Sequence, residues 1–124
     1  MIVRCTHIIS PVTGEVENDH PGIRIGTEYP VLEVLTKPDQ VLLRIPDRLG
    51  TTEYRDTPSL WDAAMFTVVS DQMPRCWVAE LEEGRLTLAP RAWQRPRFWE
   101  DYFDDMPAAV EEYDRLKAEI LADS

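Results

Sequence analysis

Apolar and polar positions change their period once along this chain, close to Pro90. Up to that point apolar residues alternate with polar ones in short runs broken by glycine and proline, the pattern of strands and turns. Beyond it they recur at helical spacing. Ile2 to Ile9 predicts a first strand, with Val3, Cys5, His7 and Ile9 alternating with Arg4 and Thr6. Pro11 to Gly14 supplies turn chemistry, and the polar stretch from Glu15 to Gly22 reads as a loop.

Ile23 to Leu35 is rich in β-branched and aromatic residues and predicts strand, with a bulge or sharp bend at Gly26. Pro30 cannot donate to a ladder and belongs at an edge or a strand start. The turn from Thr36 to Gln40 leads into Val41 to Ile45, so the pair predicts a hairpin. Pro46 to Gly50 turns the chain again, and Thr51 to Arg55 fits a short strand. Thr57 to Asp62 reads as irregular, with one helical turn from Ser59. Phe66 to Ser70 predicts a strand. Cys76 to Leu81 and Leu86 to Leu88 predict a second hairpin, with Gly84 supplying a positive φ in its turn.

After Pro90 the pattern predicts a short helix over about 96–103 and a C-terminal helix over about 106–121. Asp104 or Asp105 is the expected cap of the second helix, with Pro107 in its first turn. Val110, Tyr113, Leu116, Ile120 and Leu121 form its expected apolar stripe. The fold class that follows is α+β: an antiparallel β-meander, either a curled sheet or a small barrel, with a C-terminal helix, in one domain over residues 1–124 with its β-rich part over 1–90. No crossover helix separates the strands, which argues against a doubly wound parallel sheet.

Composition narrows the function. The 124 residues carry a net charge of −10. From Glu100 onward the acids are Glu100, Asp101, Asp104, Asp105, Glu111, Glu112, Asp114, Glu119 and Asp123, against the bases Arg115 and Lys117 alone. A general nucleic-acid binder needs phosphate-neutralising Lys and Arg, so nucleic acid is not the expected partner. A basic protein is, because complementary fields steer encounter, although such a charge also serves solubility. No apolar run approaches a membrane span and the N-terminal residues do not read as a signal peptide, so the expectation is a cytoplasmic protein without a membrane partner.

The stretch Trp93 to Asp105 concentrates the aromatics Trp93, Phe98, Trp99, Tyr102 and Phe103 with four of those acids. Trp93, Phe98 and Phe103 are expected to fix the junction between meander and helix, and Trp93 and Trp99 to be partly exposed. Arg85, Arg91, Arg95 and Arg97 are expected to pair with acids or stack on tryptophans within the chain.

Enzyme chemistry finds little footing. Cys5, His7, His20 and Cys76 could ligate a metal only by a loose arrangement, and core packing is the better account of them. Two cysteines do not make a disulfide scaffold, and a free buried thiol is expected. Neither a G-x-S-x-G nor a phosphate-binding glycine motif occurs. A small hydrolase using Cys5 or Cys76 with a histidine stays the enzymatic alternative. No cofactor is expected, and no carboxylate pair stands out for glycosidase-like work.

Gly26, Tyr29, Val31 and Leu32, followed by Leu43-Arg44-Ile45, resemble the opening of small SH3-like bacterial barrels. Pro74, Trp77 and Val78, then Leu86, Leu88, Pro90 and Trp93, and Phe98-Trp99-Glu100 with Tyr102-Phe103-Asp104, resemble small immunity proteins of bacterial polymorphic-toxin systems, including contact-dependent inhibition. The resemblance spans roughly residues 22–121 in layout. It implies a cytoplasmic, non-enzymatic protein that binds one cognate toxin domain, such as a nuclease with a basic cleft. The expected partner-binding residues are Trp99, Glu100, Asp101, Tyr102, Asp104, Asp105, Glu111 and Glu112. A regulatory or scaffold module with an SH3-like barrel is the other reading.

Overall fold

The computed structural model describes residues 1–46 and 56–124. Among the described residues ten strands precede two α-helices: β1 Ile2–Cys5, β2 Ile8–Ile9, β3 Val16–Glu17, β4 Glu28–Pro30, β5 Glu33–Lys37, β6 Gln40–Ile45, β7 Ser59–Asp62, β8 Phe66–Ser70, β9 Trp77–Glu82, β10 Arg85–Pro90, α1 Phe98–Phe103 and α2 Pro107–Ala122. They form a five-stranded antiparallel sheet in the order β7-β6-β5-β10-β9, a three-stranded sheet β4-β1-β8 and the small pair β2-β3. The α+β meander with a C-terminal helix is therefore the architecture. Among the described residues no ladder closes the two larger sheets into one barrel.

The expected strand from Ile23 to Leu35 is broken. Gly26 sits at φ +87 in a loop, donating its N–H to the Cys5 carbonyl at 2.8 Å. Pro30 ends β4, and Val31 and Leu32 carry the chain round a bend into β5. These two neighbours are both fully buried, on opposite sides. Val31 joins a core with Val3, Cys5, Ile8, Leu43, Ile45, Trp61 and Met65. Leu32 joins a second core with Trp93, Phe98, Tyr102, Tyr113, Leu116 and Ile120. Successive residues of extended chain point to opposite faces, so one bend serves both cores. Trp77 packs against both and donates its indole N–H to the Leu32 carbonyl at 3.0 Å.

Ser59–Asp62 is a strand, contrary to the irregular stretch with a helical turn expected there. Leu60 and Trp61 pair with Arg44 and Leu43, so edge pairing with β6 and burial of Trp61 override the turn-like Thr57-Pro58 entry. The helical turn comes later, as a 3₁₀ turn at Ala63–Met65 capped by Asp62, whose carboxylate accepts the Ala64 N–H at 2.9 Å. Ile8–Ile9 pairs with β3 instead of extending β1, which places a short ladder inside the expected loop. The turn after Pro46 and the strand over 51–55 fall outside the described residues. The second hairpin closes on Glu83 and Gly84, at φ 51 and 77, and two left-handed residues match the twist of the flanking strands.

Asp104 and Asp105 end α1 and do not cap α2. Asp105 is left-handed at φ 63, its N–H reaches the Tyr102 carbonyl at 3.1 Å, and the Met106 N–H reaches the Asp101 carbonyl at 3.0 Å. That is a Schellman stop with aspartate in the position glycine usually takes. Met106 then precedes α2 without a side-chain cap, and Pro107 occupies its first turn. The buried stripe of α2 is Ala109, Tyr113, Leu116 and Ile120. Leu121 is 45% exposed, since it lies about 100° round the helix from Ile120.

Candidate functional site

The aromatic stretch folds by helical period. Phe98 and Tyr102, four residues apart, point into the core, while Trp99 and Phe103 share the adjoining face. Tyr102 is 0% exposed and donates its hydroxyl to the Asp56 carbonyl at 2.7 Å. It anchors the fold, so the partner contact expected of it does not fit its position. Phe103, expected at the junction, is 48% exposed. Trp93 is 2% exposed, not partly exposed as expected, and stacks against Tyr113 at 5.4 Å. Trp99 is half-buried and meets Trp93, Phe98 and Tyr113 edge-on.

The acids separate into two groups. Asp101 is tied to Arg95 at 3.2 Å, and Glu112 is half-buried with one carboxylate oxygen lacking a partner. Glu100, Asp104, Asp105 and Glu111 are exposed. Glu100 contacts Arg97 at 2.9 Å, an exposed pair of small energetic weight. Between these acids stand Phe103 and Met106, the latter 51% exposed. The corner joining α1 to α2 thus presents two large apolar side chains with carboxylates around them.

Beneath α1 lies a polar group that sequence reasoning did not single out. Arg44 and Glu33 face each other across β6 and β5, both buried, with Nε to Oε1 at 2.7 Å. The guanidinium also donates to the Pro58 carbonyl at 3.1 Å and lies 4.0 Å from the Trp99 ring centre. Stacking of an arginine on a tryptophan was expected, but from the local arginines. Arg95 instead lies 5.2 Å from the Phe98 ring. The signal for Glu33 and Arg44 was their placement on facing strands of the predicted hairpin, with opposite charges in apolar runs.

A second buried carboxylate, Asp56, accepts the Tyr113 hydroxyl at 2.8 Å and the Lys117 ammonium. Burial and the adjacent Asp56 charge push the Tyr113 phenol well above its ordinary range. Tyr113 and Lys117 are one helical turn apart, so α2 grips this carboxylate with two successive side chains.

Both thiols are free. Burial pushes Cys5 and Cys76 above the usual thiol range, which keeps them protonated at neutral pH. The Cys5 thiol donates to the His7 carbonyl at 3.5 Å, not to a ring. His20 accepts the Gly22 N–H and packs edge-on against Trp61. Among the described residues no three His, Cys, Asp or Glu side chains gather to hold a metal. No helix there is long and apolar enough to cross a membrane.

Comparison with protein families, with curated proteins and with solved structures returns no match.

Proposed function

We propose that the chain is an immunity protein, which binds a cognate bacterial toxin domain and neutralises it without chemistry of its own. The observation that carries this reading is the α1–α2 corner: Phe103 and Met106 are half-exposed among Glu100, Asp104, Asp105 and Glu111. An apolar centre with a charged rim is how protein interfaces are built, and aromatic side chains supply most of their binding energy. The rim is mostly acidic, with Arg97 beside Glu100, and the chain carries −10 overall, which suits a toxin with a basic cleft, such as a nuclease. An acidic surface over such a cleft competes with the phosphates of the toxin's substrate.

The partner surface is revised in this reading to Phe103, Met106, Glu100, Asp104, Asp105 and Glu111, with Trp99 behind them. Asp101 and Tyr102 support it from within, through Arg95 and Asp56. The test is co-expression with the C-terminal domain of a large secreted protein, where the gene directly upstream encodes one. Survival and co-purification are expected, and death of the cells despite soluble expression of both proteins contradicts the reading.

A further inference from the structure

A cleft of 470 Å³ opens on the outer face of the five-stranded sheet, between β5, β9 and β10 and the aromatic residues before and within α1. Glu33 and Arg44 lie in it and neutralise each other. The remaining charged lining is Glu80, Glu82 and Glu83 against Arg85. Glu80 and Glu82 are two apart on β9 and so project from one face. Arg85 stands opposite Glu82 in the hairpin register, yet no ion pair joins them among the described residues. Among the described residues the cleft therefore holds an excess of carboxylate.

The aromatic side of the same cleft is formed by Trp93 and Trp99. Trp99 already carries one guanidinium, that of Arg44, which is held by a carboxylate at 2.7 Å. An indole face beside a carboxylate is the environment that arginine prefers, through cation–π contact and charge-assisted hydrogen bonds. Trp99 lines the cleft together with the further carboxylates of Glu80 and Glu82. Independently, the buried indole N–H of Trp93 meets no acceptor. A buried donor without an acceptor is unfavourable, and Trp93 lines this cleft.

We propose that this cleft takes an arginine side chain of a protein partner, with the guanidinium between Glu80, Glu82 and the Trp99 ring. The inference rests on the partner being a basic protein, as read above, and gives that partner an anchor separate from the α1–α2 corner.

The probe is arginine blocked as the N-acetyl N-methylamide, titrated into the full chain while the tryptophan indole N–H resonances are followed. The blocked citrulline analogue serves as the neutral control. The arginine probe is expected to shift the Trp93 and Trp99 signals saturably, and citrulline to leave them in place. Glu80→Gln with Glu82→Gln, both exposed and so compatible with folding, should weaken the arginine response by about tenfold. Asp104→Asn at the corner should not alter it. The absence of a saturable shift overturns the inference, as does an equal response to citrulline or an undiminished one in the double variant. Toxin neutralisation by a chain that ignores the arginine probe removes the cleft and leaves the immunity reading standing. An arginine response from a chain that protects against no toxin removes that reading and leaves the cleft.

Discussion

Glu33 and Arg44 are the pair on which a single substitution has most effect. Each is buried, and removing one leaves the other's charge without its partner in a low-dielectric setting. Glu33→Ala is expected to cost about 3–5 kcal/mol, whereas Glu33→Met combined with Arg44→Leu should cost much less, because the desolvation of both ions disappears with them. Urea unfolding of the two variants measures the difference, and equal losses would show that the pair's charges do not dominate. Tyr113 makes a second residue-scale prediction. Its folded proton is held above the ordinary phenol range, so stability from this group is complete below about pH 10 and declines as pH rises further. In that window the unfolded chain releases the proton and the folded chain keeps it, giving a slope of up to about 1.4 kcal/mol per pH unit. Tyr113→Phe should remove that part of the slope in alkaline urea titrations. Residue roles were read well where period decided them, as for Leu116 and Ile120. They were exchanged for Tyr102 and Phe103, since two adjacent aromatics do not reveal which one the second helix covers.

At the level of elements, most strands and both helices were legible because their apolar periods are clean. The failures share a cause: local residue chemistry was overruled by distant packing. Ser59–Asp62 became a strand because β6 offered an edge and Trp61 a place in the core. Asp104 and Asp105 looked like a helix cap because Pro107 follows them, but the left-handed turn needed to fold α2 back toward α1 claimed Asp105. Asparagine tolerates that conformation, so Asp105→Asn should keep the turn. Asp105→Val, β-branched in a left-handed position, should cost about 1–2 kcal/mol. Thermal unfolding of the two variants provides the check, and an equal loss in both would place the cost in the charge and not in the turn.

For the molecule as a whole, the sequence disclosed an acidic α+β domain with its charge gathered toward the C-terminus, but not how that charge is arranged. Folding assigns some acids to internal work: Glu33 to Arg44, Asp56 to Tyr113 and Lys117, Asp101 to Arg95. Others are left in two exposed settings, the corner around Phe103 and the cleft beside Trp99. The cleft was not legible because it is assembled from β5, β9, β10 and α1, segments that lie far apart along the chain. The most direct test of the central claim is the affinity for the co-expressed toxin domain, compared between the native chain and Phe103→Ala with Asp104→Asn and Asp105→Asn, at low and high salt. The account predicts that the triple substitution weakens binding by about a hundredfold or more and flattens its salt dependence, with the fold intact. Unchanged affinity and unchanged salt dependence would contradict it.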